Sequence, residues 1–174
     1  APAQYLGRQH DDILFVIASH ALSFGEYVLF TAPGKPPLPH VTPGLPFLLM
    51  PVTWAVGDWF GAYQIFCALI SAAIPFLLWP WLRARLEPWT CTLICLLWST
   101  SPIVLSQSGC VMPEGAYLML TVLLLLALER GPQGLGPSGW LLAAATQVRP
   151  AGLSLFPAVL ARAQKWSMRR SGSK

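Results

Sequence analysis

The sequence predicts an all-α fold: a polytopic transmembrane helix bundle with an extracytoplasmic amphipathic helix, a proline-rich loop and a re-entrant half-helix pair. Three observations carry this expectation. Of the 174 residues, 55% are hydrophobic and only 10% charged, against about 25% charged in soluble domains. The mean hydropathy is +0.56, and the apolar residues gather into runs of membrane-helix length. Proline and glycine interrupt those runs at places where a helix must stop or break. A soluble enzyme, a disordered tail and a nucleic-acid reader are excluded by this composition. The net charge is +4, yet the basic residues lie at the ends of apolar runs and in the tail, with no dense stripe that would hold a nucleic acid.

Residues 1–10 contain no apolar signal core, so the sequence reads as an internal piece of a longer membrane protein. Asp12, Ser19, Ser23 and Glu26 then mark one helical face, and Leu14, Ile17, Ala21 and Phe24 another. That pattern predicts an amphipathic helix lying on the membrane surface. Pro33, Pro36, Pro37, Pro39, Pro43, Pro46 and Pro51 forbid a regular helix and predict a stiff extracytoplasmic loop, with residues 45–56 returning to the interface.

Residues 59–82 carry no ionised side chain and predict the firmest membrane span. Arg83 and Arg85 end it, flanked by Trp79, Trp81 and Trp89 as interfacial aromatics, and a second span is expected over 89–105. A shorter third run, 115–128, closes on Glu129 and Arg130. Residues 138–161 are long enough to span but are cut by Arg149, Pro150 and Gly152. Each half then has about 11 residues and reaches about 16 Å, roughly half a bilayer core. Arg130 on one flank and Arg162, Lys165, Arg169 and Arg170 on the other favour a re-entrant pair under the positive-inside rule. The organisation expected is a first extracytoplasmic region, 1–58, and a partial membrane domain, 59–174.

Few residues could carry chemistry. Asp11 and Asp12 either cap the first helix or supply a general base. Glu114 is either an acid favoured by a helix N-terminus or part of a site. Lys35 and His40 are solvated loop residues or anion contacts. Arg149, at a break within membrane depth, needs a carboxylate, carbonyl or phosphate partner, so it points to a cavity. Cys67, Cys91, Cys95 and Cys110 form no C-x-x-C pair, and neither zinc nor a disulfide framework is supported. His10 beside the two aspartates is a weak metal signal. No cofactor is called for, and a divalent metal stays open. Phosphate-loop, nucleophile-elbow, zinc-protease and dinucleotide fingerprints are missing from the sequence.

Asp11-Asp12-Ile-Leu-Phe15 resembles the Asp-Glu-x-x-Tyr pattern in the first extracytoplasmic loop of GT-C class membrane glycosyltransferases, the group that includes bacterial protein O-mannosyltransferases and the lipid A aminoarabinose transferase. Ala21-Leu22, Gly25-Glu-Tyr27, Pro33-Gly-Lys-Pro-Pro37 and Thr42-Pro-Gly-Leu-Pro-Phe-Leu-Leu49 are similar to its continuation. Ser101-Pro102, Ser108-Gly-Cys-Val-Met-Pro-Glu114 and Ala145-Thr-Gln-Val-Arg-Pro-Ala-Gly152 resemble later landmarks, with some likeness to eukaryotic GPI mannosyltransferases. The resemblance covers nearly the whole chain in order, each motif being loose by itself. It implies that Asp11 matches the base acting on the acceptor, that Asp12 replaces the usual Glu, that Glu114 lines the same cavity and that Arg149 matches a nearby cation. The family's first membrane helix and its later spans are not in this sequence.

The function expected from this resemblance is transfer of a hexose-like sugar from a polyprenyl-phosphate donor to an acceptor glycan, lipid or protein. The setting expected is a multi-pass protein of the bacterial cytoplasmic membrane with its site facing outward. Asp11 and Asp12 are the expected catalytic residues, and Lys35, His40, Glu114 and Arg149 the substrate-binding ones. The expected partners are the lipid-linked sugar and membrane lipid, with no nucleic acid. The rival is a non-catalytic transporter or lipid-binding membrane protein, because broken helices with a buried cation also serve transport. The topology is testable: cysteines at positions 35 and 84 should label from opposite faces of the membrane, and labelling from one face would refute the arrangement.

Overall fold

The structure, a computed structural model, describes residues 10–29, 31–38, 41–57 and 59–171; the side chains of His10, Asp11, Pro132, Trp166, Arg169, Arg170 and Ser171 lie outside that description. Among the described residues the fold is all-helical: α1 (His10–Ser23), α2 (Gly44–Val56), α3 (Phe60–Arg83), α4 (Pro88–Thr100), α5 (Pro102–Ser108), α6 (Pro113–Glu129), α7 (Leu135–Val148) and α8 (Phe156–Ser171). Two 3-10 turns, Gly131–Gly134 and Pro150–Leu155, flank α7. An antiparallel bridge joins Val28 to Pro37 in the first loop.

Among the described residues, only α3 is by itself long and apolar enough to cross a membrane. Its 24 residues reach about 36 Å at ~1.5 Å per residue. Just 22% of its most apolar window is buried inside the protein, so most of that surface is left for an apolar surrounding. The expected second span is divided, because α4 and α5 meet at a 54° bend. Pro102 disfavours helical geometry at the residue before it, and Ser101 is extended at φ −61°, ψ 124°. If the bent pair is counted as one span, the described chain has two. The third run forms α6 as expected, with Pro113 in its first turn and Arg130 just past its end.

Three expectations are corrected by the packing. The buried side of α1 is mixed: Asp12 and Ser19 are only 1% and 0% exposed, beside buried Phe15, Ala18 and Ala21, whereas Phe24, just past the helix, is 82% exposed. Burying Ser19 is cheap because its hydroxyl meets that of Thr53 on α2. The proline-rich stretch does admit a helix, since α2 contains both Pro46 and Pro51. Pro46 falls in the first turn, where a backbone N–H has no intrahelical partner to lose. The segment 138–161 breaks at Arg149 as expected, but its limbs are longer: α7 has 14 residues and α8 has 16.

The core joins α1, α2, α3, α6 and α7 through Phe15, Ala18, Leu45, Leu49, Tyr63, Ala116, Leu120, Ala145 and Val148. Tyr63, fully buried, is its polar hub. Its hydroxyl donates to the Gly57 carbonyl at 2.8 Å and lies 3.0 Å from His20 Nε2 and 3.2 Å from Thr53 Oγ1. One phenol thus connects α1, the end of α2 and α3.

Close backbone approach places the remaining elements. A Cβ on Gly44 would fall 2.4 Å from the Gln147 carbonyl carbon and the Val148 nitrogen, and one on Gly152 would fall 2.6 Å from the Thr146 nitrogen. Glycine therefore lets α2 meet the end of α7, and lets the 3-10 turn fold back on that helix. Gly44→Ala should destabilise the protein by about 1–3 kcal/mol through overpacking, and Tyr63→Phe by a similar ~1–3 kcal/mol through stranded polar partners. Thermal unfolding in detergent checks both, and parent-like melting of either variant would contradict the packing described.

Candidate functional site

The helices place two charged clusters at opposite ends of α6. At its C-terminal end, Arg85 pairs with Glu129 and stacks over the Trp81 ring at 4.1 Å, while Arg162 of α8 donates to the Leu128 carbonyl at 3.2 Å. The chain beyond Arg149 therefore returns to the end of α6 from which α7 departs. At the N-terminal end of α6, Glu114 stands in the first turn, and Arg149 Nη1 reaches its Oε1 at 3.1 Å.

Arg149 owes that position to local geometry. Pro150 forces it into extended backbone, φ −150° and ψ 129°, and its N–H still caps the Ala145 carbonyl at 2.9 Å. Thr42 Oγ1 donates to the neighbouring Val148 carbonyl at 2.8 Å, anchoring the first loop at the same place. The Arg149 and Glu114 side chains are 46% and 25% exposed, so the pair itself contributes at most about 1 kcal/mol to stability.

Glu114 also lines a small cavity of about 130 Å³ between α3, α4, α5 and α6, together with Cys67, Ile70, Ser71, Trp98 and Gln107. Its Oε2 is buried without a hydrogen-bond partner, and so is Trp98 Nε1. A larger, more open and mainly apolar groove of about 690 Å³ runs between α3 and α4–α5, past Ala72, Pro75, Phe76 and Leu96. Ser71, Trp98 and Val104 line both spaces. The small cavity therefore adjoins one end of the apolar groove.

The other expected site residues are placed elsewhere. Lys35, at φ 44°, pairs with Glu26 at 3.3 Å, both exposed. Asp12 lies in the first turn of α1, its Oδ1 accepting from the Ile13 N–H at 2.8 Å. Helix α1 already begins at His10, so both aspartates sit within that turn and not before it. No hydrogen bond or ion pair among the described residues joins Asp12 or Lys35 to the Glu114–Arg149 pair. The Asp11 side chain and His40 lie outside the described residues. Among the described residues, no three His, Cys, Asp or Glu side chains cluster as a metal site would.

Trp98, Ser71 and Gln107 are the lining residues that sequence reasoning missed. Nothing distinguishes Trp98 from a lipid-facing aromatic within its apolar run, because the burial of its unpaired N–H arises only once α4 packs against α3 and α5. His20 carried a signal, being a lone imidazole in an apolar stretch, and it serves the Tyr63 hub.

Compared with known protein families, curated proteins and solved structures, the chain matches none of them.

The first loop is held by Tyr27, whose hydroxyl donates to the Val41 carbonyl at 2.5 Å. Burial pushes this phenol above its ordinary value of 10.0. A raised folded-state pKa contributes stability that is fully present below the unfolded value and lost as pH rises through the folded one. Melting temperature should therefore fall more steeply above about pH 10 in the parent than in Tyr27→Phe. Identical slopes would show that the phenol titrates alike in the folded and unfolded chains.

Proposed function

We propose that this chain is part of a multi-pass bacterial membrane glycosyltransferase that moves a sugar from a polyprenyl-phosphate carrier to an acceptor hydroxyl outside the cytoplasm. The observation that supports the reading best is the adjacency of the two spaces: an apolar groove suited to a prenyl chain adjoins a small cavity lined by Glu114, beside Arg149 and the first loop. An apolar chain needs only apolar walls, whereas the reacting headgroup needs a few placed polar groups. A transport pathway would put its ionisable groups near mid-membrane, but Glu114 is in the first turn of α6.

In the proposed reaction, a carboxylate of Asp11 or Asp12 takes the acceptor hydroxyl proton as that oxygen attacks the anomeric carbon. The bond from that carbon to the carrier phosphate breaks, and its electron pair leaves with the phosphate. Cations offset the charge gathering there. Lys35 would exchange Glu26 for the phosphate, Arg149 would offer its remaining N–H groups while Nη1 stays on Glu114, and His40, five residues along the sequence from Lys35, adds a third donor.

In the full-length protein, Asp11→Asn should lower sugar transfer by ~10²-fold or more, as loss of a general base does, with membrane insertion intact. Asp12→Asn beside it identifies the base. An acid that only favours the helix dipole contributes about 0.3–1 kcal/mol of stability, so near-normal transfer by both variants would end the catalytic reading of the pair.

A further inference from the structure

We propose that the cavity between α3, α4, α5 and α6 is a subsite for a neutral hydroxyl of a sugar ring, which accepts from Trp98 Nε1–H and donates to Glu114 Oε2. Both side chains line the cavity, and each carries a buried polar atom with no partner. Buried donors and acceptors are rarely left unmet, so the two atoms together describe the chemistry of a group that would satisfy both. The other Glu114 oxygen is already held by Arg149 at 3.1 Å, which leaves Oε2 as the free acceptor.

The requirement is for a group that accepts at one point and donates at another. A hydroxyl does both; an ammonium only donates, and a phosphate ionised at neutral pH accepts without donating and meets the carboxylate's charge. The carrier phosphate therefore binds outside this cavity. The volume of about 130 Å³ is roughly ten times what one water needs, about 10–15 Å³, so the space takes more than a lone hydroxyl. Ile70 and Ile74 supply apolar wall for the carbon face of a ring, and the indole of Trp98 adds a flat surface of the same kind.

The choice of a sugar rests on the glycosyltransferase reading, but the test measures binding without transfer. The purified chain in lipid nanodiscs is titrated by calorimetry with methyl glucoside, with glucosamine and with glucose 6-phosphate. Methyl glucoside should bind best. Trp98→Phe, which keeps the ring and removes the N–H, and Glu114→Gln should each weaken it by about tenfold, the loss expected for one stranded partner. Circular dichroism and melting temperature establish that both variants fold, and Trp98→Phe is conservative enough to serve if Glu114→Gln does not. Failure of methyl glucoside to bind would mean a water-filled cavity and overturn the proposal, as would equal binding by both variants or tighter binding of the phosphate ester. Glucoside binding with no sugar transfer by the full-length protein would keep this subsite and remove the transferase reading, and transfer unaffected by Trp98→Phe would do the reverse.

Discussion

The end of the molecule that carries the candidate site depends on one backbone contact, that between the start of α2 and the end of α7. Gly44 has no Cβ, and a Cβ there would collide with the Gln147 and Val148 backbone. Beside it, Thr42 satisfies the Val148 carbonyl, one of the acceptors a helix leaves open at its C-terminus. Pro150 then turns the chain out of α7 and leaves Arg149 facing Glu114. If α2 stood farther from α7, the first loop would lose its anchor and the Arg149 end would lose its neighbour.

The Tyr63 hub does for the first half of the chain what that contact does for the second. Hydroxyls and an imidazole buried among apolar helices are costly unless each finds a partner. Ser19, His20, Thr53 and Tyr63 find one another, so α1 docks with Ser19 and His20 turned toward α2 and α3. Such a network has few alternative geometries and selects one angle between α1, α2 and α3. The same argument in reverse makes the small cavity unusual: Trp98 Nε1 and Glu114 Oε2 are the buried polar atoms among the described residues that remain unmet. They lie next to an apolar groove at the end of the protein where the first loop is anchored.

The charge arrangement follows the same division. Arg85, Glu129 and Arg162 gather at one end of α6, and Glu114 with Arg149 at the other. The faces between are apolar and largely exposed, with Phe76, Leu96, Leu97 and Ile103 among the uncovered residues. Exposed apolar surface on that scale is unfavourable in water. It is the expected outer surface for helices in a lipid or protein environment.

The sequence by itself determined α3, α6 and the break that ends α7. The uncharged run behind α3, the arginines that end it, the stop at Glu129 and Arg130 and the interruption at Arg149-Pro150 all follow from local rules of charge and proline geometry, and such rules need no neighbours. Glu114 and Arg149 were each legible as ionisable residues needing partners. That they are each other's partner was not, because 35 residues and a reversal of direction separate them, and a pairing across that distance is decided by packing. Tertiary structure alone settled which face of α1 is buried, since periodicity marks two faces but cannot say that Ser19 will meet Thr53. It also decided that Pro46 and Pro51 would sit inside a helix and that Trp98 would keep an unpaired N–H. Each of these is a property of two surfaces meeting, which a single segment does not contain.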